Sequence, residues 1–164
     1  MWHGRRVSEM QSTLASAFGA AILTHLYAHS TIQIVLQVVS QDGSLLAACV
    51  NAATLALIDA GVPMGDYIVA CTAGSTSSHA AADERADPLL DLNAAEEAEL
   101  PFLTVATVGE TDRVAVLVLE TAVQAARLEG MLAVAVDGCK QVRTILDGVV
   151  RRRGKIMLER GAVV

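Results

Sequence analysis

The run from Leu46 to Ala60 constrains the fold more than any other part of this sequence. It reads LAACVNAATLALIDA, which is dense in the helix formers Ala and Leu, and Gly61 stands just past its end, where a helix commonly stops. Pro63 then prevents the helix from continuing. A helix that is apolar nearly all round is buried. We therefore expect this helix at the centre of the fold.

Apolar periodicity and β-branched runs divide the rest of the chain into helices and strands. Helices are predicted at Val7–Leu26 and from Leu128 to the basic run 151–153. Strands are predicted at Thr31–Ser40, Asp66–Ala73, Leu89–Leu92, Phe102–Val108 and Val114–Leu119, the last two as a hairpin. The order is helix, strand, helix, strands and helix, in one domain over 1–164 with 75–88 as an exposed loop. The first helix has no strand before it to cover, so we expect N-terminal strands to be missing.

The composition favours a subunit that is covered by neighbours. Of the 164 residues, 53% are hydrophobic, 3% are aromatic and 18% are charged. The core must therefore be aliphatic, and the surface has few charges for a protein alone in water. A formal net charge of −6 disfavours a basic nucleic-acid binder at the level of the whole chain. The charges are nevertheless uneven, because 83–99 is acidic and 140–160 is basic.

Familiar catalytic and metal-binding patterns are missing from the sequence. The cysteines Cys49, Cys71 and Cys139 are odd in number and lie in apolar runs, which indicates buried thiols in a reducing compartment. His25 and His29 are four apart but have no third ligand, so we expect no metal site and no cofactor. No P-loop, GxGxxG or GxSxG motif occurs. No apolar stretch reaches the ~20 residues of a membrane span, so we expect no membrane partner.

Two segments, 18–44 and 50–64, resemble the RNase PH family, and within it the eukaryotic exosome ring subunit that corresponds to the archaeal catalytic subunit. The most specific part is DAGVPM at 59–64, which follows the Asn-Ala-Ala helix. The similarity runs from about Arg5 to the final helix. It implies an RNase PH-like α+β sandwich whose N-terminal strands this chain lacks.

Active members of that family are phosphorolytic 3′→5′ exoribonucleases. Such an enzyme needs cations to hold the attacking phosphate beside the RNA phosphate. Arg6, followed by Glu9, matches the family's first phosphate-binding arginine, although a solvated arginine at a helix start explains it equally well. The family's second arginine follows a hydroxyl residue in the turn before the DAG helix. The arginine position falls on Leu46 and the hydroxyl position falls on Leu45. Leucine cannot bind phosphate.

The family's catalytic carboxylates have counterparts in this chain. Asp91-Leu92-Asn93 matches the family's Asp-Leu-Asn, and Glu97 stands six residues further on, where active members have a second Asp. The resemblance therefore implies a vestigial catalytic pair, Asp91 and Glu97, while a solvated acidic loop is the alternative. Arg151, Arg152 and Arg153 are candidates for contacts with RNA phosphates. The alternative is that their positive charges only stabilise the C-terminal end of a helix.

The resemblance and the missing arginine together predict a non-catalytic ring subunit of the RNA exosome, supporting RNA degradation and rRNA processing. Its expected partners are other RNase PH-like ring subunits, cap subunits and RNA, in the nucleus, nucleolus and cytoplasm. An active phosphorolytic exoribonuclease and an unstable truncated isoform remain the alternatives. Because several apolar helix faces need cover, we expect the isolated chain to self-associate or to depend on a ring partner.

Overall fold

The structure is a computed structural model that describes residues 2–76, 87–123 and 125–161. It combines helices with one antiparallel sheet, which is the α+β class that the resemblance implies. The helices are α1 (Trp2–Ala21), α2 (Leu45–Asp59), α3 (Ala94–Glu99) and α4 (Ala125–Gly161), with a short 3-10 turn at Thr24–Leu26. The strands are β1 (Ile68–Ser75), β2 (Pro88–Leu90), β3 (Phe102–Val108) and β4 (Val114–Leu119). Most of the predicted loop 75–88, namely 77–86, lies outside the described residues.

The sheet has the strand order β2-β1-β3-β4 and is covered on both faces. Side chains alternate between the faces of a strand, so each face has its own apolar cluster. One cluster joins sheet residues to α1 and α2, and the other joins the sheet to α4. The members of the first include Phe18, Val50, Leu57, Ile68, Ala70, Ala106 and Val116, and those of the second are Ala73, Leu103, Val105, Met131 and Ala135. The fold therefore has three layers, with the sheet in the middle.

Polar side chains of α2 cover an open edge of β1. The strand β2 pairs with β1 only from Ala73 onward, which leaves the edge at Ala70 without a strand neighbour. Asn51 occupies this gap, because its Nδ2 donates to the Ala70 carbonyl at 2.9 Å and its Oδ1 accepts from the Ala70 N–H at 2.9 Å. Thr54 Oγ1 donates to the Ile68 carbonyl at 2.6 Å. The amide of Asn51 thus takes the place of a neighbouring strand.

The long helix α4 packs along the other face of the sheet. Cys139 is fully buried there, and its Sγ lies 3.5 Å from the Val105 carbonyl oxygen. The prediction of buried thiols is confirmed, because Cys49, Cys71 and Cys139 are all free and buried. None of the helices in the described part of the chain is long and apolar enough to cross a membrane.

The first and last helices differ from the sequence prediction at both ends, and one helix is additional. The first begins at Trp2, before the predicted Val7, and the last begins at Ala125, before the predicted Leu128. The first helix ends at Ala21, and Leu26 belongs to the separate 3-10 turn. The last helix does not end in the basic run but continues beyond Arg153 to Gly161. Arginine and lysine are good helix formers, so a basic run by itself does not end a helix. The short helix α3 was not predicted.

The predicted strand Thr31–Ser40 is wrong. The segment 31–40 has no regular secondary structure and bends at Val39, and it forms no ladder with any strand that the structure describes. Val35 is 77% exposed and Val39 is 94% exposed. Its β-branched composition favours extended backbone, but a strand also requires a partner for its N–H and C=O groups. The described residues do not offer one.

Candidate functional site

The turn before α2 and the segment after β2 meet at one end of the sheet. Gly43 has a φ of +85°, and a Cβ at this position would collide with the Leu92 carbonyl oxygen. The turn needs glycine for both reasons. Ser44 Oγ donates to the same Leu92 oxygen at 3.2 Å, and Asp42 Oδ1 accepts from the Ala94 N–H at 3.3 Å. The structure thus brings together the two segments that the resemblance identifies as parts of one site.

The helix α3 holds the acidic segment in place. Asn93 is its N-cap, and the Asn93 side chain accepts hydrogen bonds from the N–H groups of Ala95 and Glu96 at 3.0 and 2.9 Å. Glu96 Oε2 accepts from the Asn93 N–H at 2.9 Å, which completes a capping box. The Glu96 carboxylate is therefore engaged in capping the start of its own helix. The spacing Asn93-x-x-Glu96 is the sequence signal that could have predicted α3.

Glu97 points away from α3 to the start of α2. Its Oε1 accepts a hydrogen bond from the Ser44 N–H at 2.7 Å, in a partly buried position. Ser44 has left-handed backbone angles, with φ 47° and ψ 29°, and its side chain does not cap the helix. The positive end of a helix favours an anion at this place. In this chain the Glu97 carboxylate supplies that anion.

Leu45 and Leu46 form the first residues of α2, and neither offers a charge to a ligand. Leu46 is partly buried and packs against the core cluster that joins α1 and α2 to the sheet. Leu45 lines an apolar groove beside α1. The two leucines therefore serve packing at the position where active members of the resembled family place a hydroxyl group and a guanidinium group.

Asp91 precedes Leu92 in the chain, and its side chain is exposed. Its φ is 57°, a left-handed conformation that Asp tolerates, and its N–H donates to the Thr72 carbonyl at 2.8 Å. Burial raises the pKa of the Cys71 thiol to about 11, and the charges of Cys139 and Asp91 contribute to this shift. Asp91 therefore lies beside Cys71 and β1, whereas Glu97 lies at α2. No hydrogen bond among the described residues joins the two carboxylates.

Arg6 is placed toward the same end of the sheet by an ion pair. Its Nη2 lies 3.2 Å from Glu120 Oε1, and the two side chains are 51% and 41% exposed. Glu120 follows β4, whose last residue pairs with Leu103 near the start of β3. Leu92 and Pro101 lie against Gly74, near the end of β1. The acidic segment that contains Leu92 is therefore at this same end of the sheet. The Arg6 charge is already balanced by Glu120.

The basic run lies at the opposite end of α2 from this site. Arg153 Nε lies 2.9 Å from Asp59 Oδ1, and Asp59 is the last residue of α2. Asp59 raises the pKa of the Arg153 guanidinium through this hydrogen bond. A helix of 15 residues is ~22 Å long. Arg151 and Arg152 are exposed beside it. The structure therefore separates the basic run from Asp91 and Glu97.

Sequence reasoning missed what the acidic residues contact. The resemblance led to Asp91 and Glu97, but it gave no indication that Glu97 binds the N–H of Ser44. It also gave no indication that Arg153 is paired with Asp59. Among the residues that the structure describes, no group of three or more His, Cys, Asp or Glu side chains could hold a metal ion.

The comparison with solved structures supports the fold. The chain superimposes on the crystal structure of rice (Oryza sativa) Rrp46 with a TM-score of 0.78 and 23% identity, covering 89% of this chain and 66% of that chain. At this identity the likeness shows a shared RNase PH-like fold.

Curated proteins give a stronger similarity in sequence. Exosome complex component RRP41 of Homo sapiens is 42% identical over 152 residues, which are 92% of this chain and 59% of that protein. Exosome complex component ski6 of Schizosaccharomyces pombe is 38% identical over 151 residues, again 92% of this chain and 59% of the relative. The chain thus spans about three-fifths of the length of these relatives.

Family models match most of the chain. The model of the 3′ exoribonuclease family, domain 1, matches residues 3–63, and the model of domain 2 of the same family matches residues 66–138. The two matches follow one another in the order of the family's domains and together cover far more than half of the chain. The chain therefore belongs to the 3′ exoribonuclease family, which is the RNase PH family.

Proposed function

We propose that this chain is a non-catalytic ring subunit of an RNA exosome, in which it supports RNA processing and degradation without cleaving RNA itself. The observation that carries this proposal is the start of α2, where Leu45 and Leu46 stand in place of phosphate ligands and Glu97 binds the Ser44 N–H. The names of the two relatives, both exosome complex components, support the assembly.

Phosphorolysis requires inorganic phosphate to approach the phosphate of the RNA, and cations must offset the repulsion between the two anions. At the start of α2 an anion is already present, because the Glu97 carboxylate lies 2.7 Å from the Ser44 nitrogen. A second anion there would be repelled by Glu97 and would find only the Leu46 side chain instead of a cation. The site therefore disfavours phosphate binding on two independent grounds.

The proposal is tested by phosphorolysis with the chain assembled with its ring partners. We expect no release of nucleoside diphosphate from poly(A) in the presence of inorganic phosphate. Leu46→Arg alone is expected to remain inactive, because Glu97 still occupies the helix start. Phosphate-dependent release of ADP by the unaltered assembly, lost on Asp91→Ala, would show that this subunit is an active exoribonuclease.

For the contact with RNA we propose Arg151 and Arg152 as the main candidates. Both are exposed, and no ion pair of either one occurs among the described residues, whereas Arg153 is bound to Asp59. Replacing both by Ala should reduce RNA affinity of the assembly and lower its salt dependence by ~1 per lost phosphate contact. Arg113→Ala, an exposed arginine in the β3–β4 hairpin, is the control. An unchanged salt dependence would exclude these two arginines.

Cap subunits, RNase PH-like ring subunits and RNA are the proposed partners, and rRNA precursors are among the proposed substrates of the assembly. The nucleus, nucleolus and cytoplasm are the proposed locations. Co-purification of a tagged chain, with imaging of the same tag in intact cells, tests both statements. Failure to recover ring subunits with the tagged chain would contradict the ring assignment, and it would favour the unstable truncated isoform.

A further inference from the structure

The last part of α4 carries a narrow, exposed seam that consists of Ile145, Val149, Arg152 and Ile156. The three apolar members are exposed, Ile145 at 65%, Val149 at 44% and Ile156 at 38%, and Arg152 is exposed as well. Successive members are four, three and four residues apart, which places all of them on one face of a helix with 3.6 residues per turn. This spacing is typical of a helix that pairs with another helix.

The seam is separate from the face by which α4 packs on its own fold. Leu146, next to Ile145 in the chain, is buried, and Arg153, next to Arg152, is bound to Asp59. None of the seam residues belongs to the two core clusters. The match to domain 2 of the family ends at residue 138, before the seam begins. The seam is therefore a surface that the described core does not use.

Arg152 decides the chemistry of what can cover the seam. No ion pair of Arg152 occurs in the described ranges of the chain, so a purely apolar partner would bury its guanidinium without a counter-charge. Burying an unpaired charge is costly. Lys155 is exposed three residues further on and adds a second cation at the flank of the seam. A covering element therefore needs apolar side chains for Val149 and Ile156 and carboxylates for the two cations.

Gly148 allows a neighbouring helix to approach the flank of the seam. It is exposed, it stands four residues before Arg152, and a Cβ added to it would meet nothing within 4 Å. Glycine inside a helix lowers stability relative to alanine, and the fold of this chain does not need the missing side chain. RNA phosphates would satisfy the cations but would leave the three apolar side chains of the seam in water. A helix with both apolar and acidic residues satisfies the whole surface.

We propose that the seam of α4 docks an acidic amphipathic helix of another protein chain. Residues 145 to 156 span ~17 Å, so the docked helix has about three turns in contact. Its apolar side chains pack against the seam, and its carboxylates form ion pairs with Arg152 and Lys155. The proposal rests on α4 alone and not on the exosome assignment. Because Arg152 is also a proposed RNA contact, RNA and the docked helix should compete for it.

Two synthetic helices test the chemistry of the partner. The acidic probe is a fluorescent peptide of about three heptads, with leucine in the seam positions, one glutamate in the seam position that faces Arg152, and glutamate along both flanks. The basic probe has lysine in place of every glutamate. Like charges keep either probe from pairing with itself. Fluorescence anisotropy with the chain should show that the acidic probe binds at least tenfold more tightly than the basic probe. Equal affinities, or no binding of the acidic probe, would overturn the proposal.

Variants of the chain test the position of the docked helix. Arg152→Glu should weaken binding of the acidic probe at least tenfold and strengthen binding of the basic probe. Arg151→Glu is the matched control for this probe, because Arg151 makes the same charge change but lies about 200° around the helix from Val149. Val149→Ser should weaken the acidic probe about tenfold through the loss of apolar contact. Equal losses for the two arginine variants, with no loss for Val149→Ser, would mean general attraction of charge and would refute a helix on this seam. Circular dichroism checks that these exposed substitutions leave the fold intact.

Discussion

Removing the Glu97 carboxylate tests the candidate site most directly. Glu97→Ala deletes the acceptor of the Ser44 N–H, to which Glu97 Oε1 is bound at 2.7 Å. A hydrogen bond to a charged group contributes ~1.5–3 kcal/mol to stability, and a carboxylate at a helix start adds ~0.3–1 kcal/mol. The pair is only partly buried, so water replaces part of what is lost. We expect a decrease of ~2 kcal/mol in the free energy of unfolding.

Urea unfolding followed by far-ultraviolet circular dichroism measures this decrease. For a small protein the dependence of the unfolding free energy on urea is ~1–3 kcal/mol per molar. With a value of ~2 kcal/mol per molar, Glu97→Ala should lower the midpoint by ~1 M without changing the slope. All variants are compared at one protein concentration, because self-association changes the apparent stability.

Glu99→Ala is the matched control, because Glu99 is an exposed residue of the same helix α3. It should change stability by less than ~0.5 kcal/mol. Glu97→Gln keeps an acceptor oxygen without the charge, so its urea midpoint should lie between those of Glu97→Ala and Glu99→Ala. Equal midpoint shifts for Glu97→Ala and Glu99→Ala would refute the reasoning, because the bond to Ser44 would then contribute nothing beyond surface charge.

Three further predictions concern the layers of the fold. Asn51→Ala should lower the free energy of unfolding by ~2–3 kcal/mol, because both polar groups of Ala70 lose their partner; urea unfolding measures it. Gly138→Ala should destabilise the fold by ~1 kcal/mol net, because the new Cβ would lie 2.9 Å from Cys71 Sγ. The control is Gly130→Ala in the same helix, whose Cβ meets nothing within 4 Å and which should stabilise by ~0.5–1 kcal/mol. Burial raises the pKa of Cys71 from 9.0 to about 11, so the folded state holds a proton that the unfolded state releases, and stability should fall as pH rises from about 9 to about 11. Cys71→Ala should reduce that slope in a pH series.

The elements that the sequence predicts well are those that local patterns determine. The strands β3 and β4 have the bounds that were predicted, because two apolar runs flank a turn that begins with Gly109 at a φ of +70°. The helix α2 agrees to within one residue at each end, since Gly61, also with a positive φ, stands just past it. These features need no knowledge of distant parts of the chain.

The segment 31–39 shows where such patterns fail. Its composition is that of a strand, but a ladder depends on a second strand, and the pattern of one segment contains no information about its partner. The same limit applies to the site. Glu97 and Ser44 are 53 positions apart, so only the fold brings them together. The resemblance identified Glu97 as a catalytic counterpart, and the geometry adds a structural role that its position in the sequence does not indicate.

The basic stretch 140–160 illustrates how the fold assigns different roles to residues of one kind. Three of its cations tie α4 to two loops and to the last residue of α2, remote from Glu97. The pairs are Lys140 with Asp112 at 2.8 Å, Arg143 with Asp66 at 3.0 Å and Arg153 with Asp59 at 2.9 Å. An arginine held by a carboxylate has to lose that partner before it can bind a phosphate, so paired cations contribute less to RNA affinity than exposed ones. Any contact of α4 with RNA should therefore rest on its exposed cations that no carboxylate holds in the described part of the chain, of which Arg151 and Arg152 are the ones proposed, and the candidate site and this contact should respond to mutation independently.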